Sequence, residues 1–252
     1  MSAPNSSTNK DHIEERVKTE LQPVFLDFYR GSAKEKVYAR NADWFARRVL
    51  KGGNIVLLLS NAPIVMQIVN EDLAKYVNAP NEEAVFKLKA SRKTLGCLNA
   101  FSYVAFVETL ATPYIDLSIL LLSVDGYHFH VGADRKHNYV RHAMSFRDLE
   151  SPSVSLANKL DFLDSCKLTF FSKWVDRNLR NIIAHLGFDI DDNGDFYRIE
   201  NRIEGERGEQ KKVKLNLTER LQTFVKYYGA VTDVFTEEMK NKIYAPKKGE
   251  SE

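Results

Sequence analysis

Six consecutive residues, Arg180, Asn181, Ile182, Ile183, Ala184 and His185, hold the side chains best suited to chemistry. Arginine carries a permanent charge on a planar fork that can hold a phosphate through two parallel hydrogen bonds. Histidine moves a proton near neutral pH. A cation, an amide and an imidazole this close together make a minimal set for binding or cleaving a phosphodiester. Arg177 and Asn178, just upstream, add a second cation and a second amide that suit a neighbouring phosphate. The ordinary alternative is a group of cations at a helix C-terminus, where the macrodipole favours them.

The element that must position these residues is the amphipathic stretch 160–186, whose spacing predicts one long helix with Gly187 as its stop. On a wheel of about 100° per residue, Asn178, Asn181 and His185 share one stripe. Val175, Leu179, Ile182 and Leu186 form the buried stripe beside it. Arg180 lies roughly 140° round from His185. An ideal helix therefore does not set the two side by side. Either the arginine reaches, or the helix end distorts, or a second copy of the chain completes the site.

The chain has 252 residues, of which 44% are hydrophobic, so a substantial core is expected. The formal net charge is only +2, so nucleic-acid binding would have to come from a local patch rather than a global basic field. Cys97 and Cys166 show no metal-ligand spacing and point to a reducing, cytoplasmic setting. The first ten residues are polar, lack the apolar core of a signal peptide and read as a disordered leader. No apolar run reaches membrane-spanning length; residues 54–69 come nearest but are interrupted by Asn61, Pro63 and Gln67.

Apolar spacing predicts a first helix over residues 13–28, kinked at Pro23 and ending near Gly31, and a second over 33–51 that Gly52 and Gly53 end. Residues 55–59 fit strand or helix. Residues 63–77 read as a helix, 78–81 as a turn, and Glu82 and Glu83 suit the start of the next helix. Residues 93–124 predict one long apolar helix bent or broken at Pro113. Asp125-Gly126 marks a turn, 127–138 a histidine-rich loop, and 138–148 a short helix. Beyond Gly187, two short aromatic runs flank Asp191-Asp192-Asn193-Gly194, a hairpin signal. Residues 200–212 read as a mobile charged loop, 213–217 as a possible third strand, and Thr218 as the start of a last amphipathic helix. The organisation expected is a helical extension of unassigned role over residues 1–90, a helical bundle over 91–245 and a disordered tail over 246–252. The soft boundary falls near residues 80–91.

Two further patterns suggest metals. Asp189, Asp191, Asn193, Gly194 and Glu200 fit the spacing of an EF-hand calcium loop. Tyr197 occupies a ligand position, and Gly205 and Gly208 would interrupt the exit helix, so a hairpin is the better reading. His128, His130, His137 and His142 form a loose group without a nearby cysteine or acid, and solvated loop histidines describe them adequately. No metal and no cofactor is assigned.

The run Arg180-Asn181-x3-His185 resembles the Arg-polar-x3-His signature of the HEPN superfamily. The context is also similar: the end of a long helix, then an Asp-rich turn, a short β segment and a last amphipathic helix. The likeness spans about residues 91–242. It implies a mainly α fold, a HEPN-like helical bundle with a small β-hairpin before the last helix. It implies a metal-independent endoribonuclease of the toxin or antiviral-defence type. Such enzymes work as homodimers on RNA and are often paired with a nucleotidyltransferase-like antitoxin. By the same likeness Arg180, Asn181 and His185 are the catalytic residues, Arg177 and Asn178 contact RNA, and the product ends in a 2′,3′-cyclic phosphate. The other class the resemblance allows is a non-catalytic module that binds a nucleotide, RNA or a protein.

Overall fold

The computed structural model describes residues 6–60, 82–131, 141–151, 153–200 and 211–243. The expected helix over 63–77, the turn at 78–81, the tail over 246–252 and residues 201–210 of the expected charged loop over 200–212 lie outside the described residues, while residues 200, 211 and 212 of that loop are strand. What is described is mostly helical, with one three-stranded antiparallel sheet before the last helix. In chain order the helices are α1 (Ser6–Leu21), α2 (Ala33–Ser60), α3 (Glu82–Phe106), α4 (Thr112–Val124), α5 (Phe146–Leu149), α6 (Leu156–Ser165), α7 (Phe170–Trp174), α8 (Arg177–Ala184) and α9 (Leu217–Ile243). A π-helical turn, Val107–Ala111, joins α3 to α4. The strands β1 (His130–Val131) and β2 (Arg141–His142) form one two-stranded sheet, and β3 (Phe188–Ile190), β4 (Phe196–Glu200) and β5 (Lys211–Leu215) form the three-stranded one.

Several expectations change. Helix α1 starts at Ser6, inside the expected leader, and stops at Leu21 rather than near Gly31. The residue before a proline is driven out of the helical region, so Pro23 ends the helix instead of kinking it. Val24, Phe25 and Phe28 still reach the core, from turns rather than from helix. Gly52 and Gly53 do not end α2, which runs through them to Ser60. A glycine inside a helix only weakens it by about 1 kcal/mol relative to alanine. The histidine-rich loop is partly a β ribbon, and the short helix expected over 138–148 is reduced to α5.

The largest correction concerns residues 160–186, which form three helices in place of one. Leu168, Phe170, Phe171, Trp174 and Val175 are all buried, and at about 100° per residue they would share one face of a continuous helix, so the spacing alone gives no sign of the breaks. Lys167 takes a left-handed backbone, φ +66°, at the first break, and Val175 is extended at the second.

The described chain divides into two compact units. The first comprises Met1–Val49, Leu110–Arg177 and Thr223–Glu252. Its centre is α4, buried from Pro113 to Leu122. Tyr114 packs edge-on against Phe45 and Phe235, and its hydroxyl meets Thr232 Oγ1 at 3.1 Å. Burial pushes that phenol up to about 12. Trp174 Nε1 donates to the Phe224 carbonyl at 3.1 Å. Lys34, 1% exposed, donates its ammonium to the carbonyls of Pro23 and Val24 and pairs with Asp125 at 2.6 Å. It thereby satisfies backbone oxygens left over where α1 ends.

The second unit comprises Leu50–Thr109 and Asn178–Gln222. Here the sheet packs on α3 through two glycines. A Cβ on Gly96 would lie 2.8 Å from Ile190 Cγ2 and 2.9 Å from the Gly194 carbonyl. Gly194 sits at φ +82°, and a Cβ there would meet the Arg92 carbonyl at 2.8 Å. Only glycine permits this approach and this backbone. On the sheet's other face Lys212 pairs with Asp189 and Lys214 with Asp195. Lys89 and Lys93 reach from α3 to Asp192 and depress its carboxyl to about 2. Asp191 accepts from the backbone of Asn193 and Asp195 and from the Tyr197 hydroxyl. The hairpin expectation holds, and Asp189 and Asp191 of the calcium-like motif are already partnered. Calcium should therefore leave the melting temperature unchanged; a calcium-dependent rise lost in Asp189→Ala would contradict this.

One helical run, Val85–Val124, is long and apolar enough to cross a membrane. It is mostly buried inside the protein, as the core helix of a soluble protein is.

A charged pair sits inside the first unit. Asp116 on α4 is 0% exposed and Lys159 on α6 is 5% exposed, with Nζ 2.7 Å from Oδ1. Neither carboxylate oxygen accepts a well-aligned hydrogen bond. Burial pushes the Asp116 carboxyl up to about 6, although Lys159 pulls it down. The raised value means that the native protein binds a proton here more tightly than the unfolded chain does. The stability contributed is present below about pH 4 and lost as the pH rises through about 6. Lys159→Met should destabilise by about 3–5 kcal/mol near neutrality, because it strands a buried carboxylate. The damage should shrink below pH 4, where Asp116 is neutral, and Asp116→Leu combined with Lys159→Met should recover most of it. Denaturant titrations at both pH values measure these differences.

Candidate functional site

The second unit holds Asn178, Arg180, Asn181 and His185 on α8 and the turn that follows it. The helix is short because it begins only after the extended Val175 and ends in a Schellman turn. Gly187 N–H donates to the Ile182 carbonyl at 2.8 Å, and Leu186 N–H to the Ile183 carbonyl at 3.1 Å. This pattern places the left-handed residue at Leu186, φ +56°, and not at the expected Gly187. Gly187 is not needed for space, since a Cβ there would meet only Ile182, in ordinary van der Waals contact, nearest at its carbonyl at 3.5 Å.

The helical wheel is half right. Asn178, Asn181 and His185 are all exposed, as their shared stripe requires. Leu179 and Ile183 are buried, but Ile182 is only half-buried. Leu186, expected inside, is 67% exposed because the left-handed turn carries it off the helical stripe. His185 lies in the turn just past the last helical residue. Its N–H donates to the Asn181 carbonyl at 3.0 Å, and its imidazole has no hydrogen-bond partner among the described residues.

Arg180 is not free. Its Nε and Nη2 both donate to Glu108 Oε1, at 2.8 and 2.5 Å, and its Nη1 donates to Asn181 Oδ1 at 3.1 Å. Glu108 comes from the π-helical turn, an element that recurs at functional sites. The result is a chain of three side chains, Glu108–Arg180–Asn181, with the second carboxylate oxygen unused by the arginine. Sequence reasoning missed Glu108. Its signal was present: Glu108 and Asp116 are the only charged residues between positions 94 and 124. An isolated acid in an apolar run calls for a partner.

Arg177, the expected RNA contact, belongs to the first unit and pairs there with Asp161. The two expected RNA contacts, Arg177 and Asn178, therefore fall in different units. Among the described residues, no group of three histidine, cysteine or acidic side chains is arranged to hold a metal ion. No protein-family model matches this chain, and neither does any curated protein or solved structure.

The arrangement can bind an anion, since a guanidinium fork lies one residue from an amide and one turn before an open imidazole. An anion must displace or share the arginine with Glu108. The Arg180–Glu108 pair is partly exposed, with side chains 27% and 42% accessible, so its contribution to stability should be small. Leu186 carries the strain instead. A non-glycine residue held in the left-handed region costs about 1–2 kcal/mol, and its exposed side chain returns no packing. Leu186→Gly should therefore stabilise the fold by about 1 kcal/mol, and Glu108→Gln should shift stability by less than about 1 kcal/mol. Chemical denaturation of both variants checks the contrast; a destabilised Leu186→Gly would refute the strain.

Proposed function

We propose that this chain is a HEPN-like, metal-independent endoribonuclease of the toxin or defence type, acting in the cytoplasm as a homodimer. The observation that carries the proposal is the presence, in one unit and five residues apart in sequence, of a phosphate-fitting arginine and an exposed imidazole that has no hydrogen-bond partner among the described residues. The mostly helical fold with a short sheet before the last helix agrees with the resemblance in the sequence.

In the reaction proposed, the RNA 2′-hydroxyl attacks the adjacent phosphorus and the 5′-oxygen leaves, which closes a 2′,3′-cyclic phosphate. His185 takes the 2′-proton as general base or protonates the leaving oxygen as general acid. Arg180 offsets the charge that builds on the phosphorane-like transition state. Asn181 holds the Arg180 guanidinium from one side and can orient a phosphate oxygen. A second copy would bring a second Arg180 and His185 to the same phosphodiester and supply the local positive potential that a net charge of +2 does not. A nucleotidyltransferase-like antitoxin is the partner proposed by analogy.

A second reading rests on the Arg180–Glu108 pair. If Glu108 never releases the guanidinium, the chain is a non-catalytic module that binds a nucleotide, RNA or a protein.

The test is cleavage of RNA by the purified chain, with solution mass measured alongside. His185→Ala should abolish cleavage and leave the melting temperature unchanged, because an exposed side chain carries little packing. Arg180→Lys should lose most of the activity, since a point charge cannot reproduce the fork. EDTA should not inhibit. A fully active His185→Ala variant, an EDTA-sensitive activity or cleavage by a strict monomer would each refute the mechanism. Absence of cleavage on any RNA would favour the binding module.

A further inference from the structure

Helix α3 and the turn that ends it meet the segment 180–188 at two places. Glu108 takes two donors of the Arg180 fork, and the rings of Phe101 and Phe188 meet edge to face with centroids 6.2 Å apart. All four residues belong to one unit. Phe101 and Glu108 are seven residues apart. That is about two helical turns, so they share roughly one face and stand about 10 Å apart along the axis. Val104 and Ala105 lie between them on this face, both half-buried, and Leu98 extends it one turn back. No charged residue falls between Leu98 and Glu108. The opposite face, with Tyr103, Phe106 and Val107, is buried. Phe101 itself is 49% exposed. A lone exposed apolar side chain is ordinary, but this one is held in place. Phe188 stacks on Phe196, centroids 5.1 Å apart and planes 20° from parallel, and Phe196 is buried. The row behind Phe101 fixes its ring and leaves half of it open.

We propose that the Phe101 ring is a stacking platform for a base of the RNA whose phosphodiester Arg180 holds. The inference rests on the RNA reading of the Arg180 site and adds to it the contact for a nucleobase. A nucleotide joins an anion to a flat ring, and this face joins a cation to a flat ring. The phosphate goes to the guanidinium fork and the base to Phe101. Between them the strand crosses Val104 and Ala105, where no ion has to be stripped of water. A second copy of the chain is the rival occupant of an apolar face. The guanidinium at its end favours the partner that carries negative charge. Because Phe188 and Phe196 already hold the ring, stacking has little left to order. Every base has a π face, so the platform tolerates any sequence and gives purines, with more area to overlap, the advantage.

The probe is a short single-stranded RNA with fluorine in place of each 2′-hydroxyl, which the proposed reaction cannot cut. It carries the fluorescent base 2-aminopurine at one position in turn. Binding to the full chain should quench the fluorophore at one position or more, which reads stacking in the unaltered protein. Phe101→Leu keeps apolar bulk and loses the flat ring, so it should remove the quenching and weaken binding by about tenfold. Phe101→Trp should keep both. The salt dependence of binding should be unchanged in Phe101→Leu, which loses no phosphate contact, and shallower in Arg180→Gln. Circular dichroism checks folding, and Phe101→Met replaces Phe101→Leu where the latter does not fold. RNA bound without quenching at any position, or quenching and affinity kept in Phe101→Leu, overturns the platform and leaves the nuclease reading standing. A dimer lost in Phe101→Leu, by solution mass, assigns the face to a second copy and overturns the platform as well. RNA that stacks on Phe101 but is never cut once its 2′-hydroxyls are restored removes the nuclease and keeps the platform. Failure to bind the RNA at all overturns both.

Discussion

A missing backbone hydrogen shapes the centre of this fold. Pro113 has no N–H to offer the carbonyl four residues earlier, yet it lies within a helical run that continues from Val85 to Val124. The chain resolves the conflict just upstream, where the turn Val107–Ala111 widens to π-helical geometry and α4 restarts at Thr112 with the proline in its first turn. The widened turn carries Glu108, and Glu108 holds both donors of the Arg180 fork on one oxygen. The state of the candidate site therefore follows from a local backbone defect in a helix that sequence reasoning treats as core.

Charge in this protein is handled by pairing rather than by accumulation. The hairpin bears a dense group of aspartates, and lysines from α3 and β5 meet Asp189, Asp192 and Asp195. The interior pair Asp116–Lys159 and the nearly buried Lys34 follow the same rule at greater desolvation. Arg180 is paired as well, with Glu108. Several imidazoles among the described residues have no hydrogen-bond partner there, His185 at the end of α8 and the three on the β1–β2 ribbon among them. Beside these paired charges, imidazole nitrogens open to solvent are groups available to meet something from outside.

How much of this was legible in the sequence depends on whether one element or several decide a residue's place. Helices α3 and α9 and the hairpin were readable, because their signals are local: acids at a first turn, a long apolar period, an Asn-Gly pair between aromatic runs. The breaks within 160–186 were not, because the apolar spacing fits one continuous helix and the left-handed turn at Lys167 and the extended Val175 leave no mark on a wheel. Gly52 and Gly53 misled for the related reason that tertiary context overrides a weak propensity. At the site, the exposed stripe of Asn178, Asn181 and His185 was correct since it needs only helical periodicity. Glu108 was missed because it lies 72 residues away from Arg180 in sequence. Leu186 was missed because glycine was the expected left-handed residue, and the chain uses leucine one position earlier.

That last substitution bears on function. A Schellman turn is easiest with glycine at the left-handed position, and a glycine is available one residue later, where nothing sterically requires it. Moving the turn back by one residue puts a bulky, exposed side chain in a strained conformation beside the only imidazole of α8 and its turn. The last helical residue is Ala184, and His185, whose N–H still donates to the Asn181 carbonyl, keeps to the Asn178–Asn181 stripe immediately before the left-handed residue. Strain retained where glycine could have removed it is more readily understood as the cost of aiming a side chain than as an accident of packing, because this leucine packs against little.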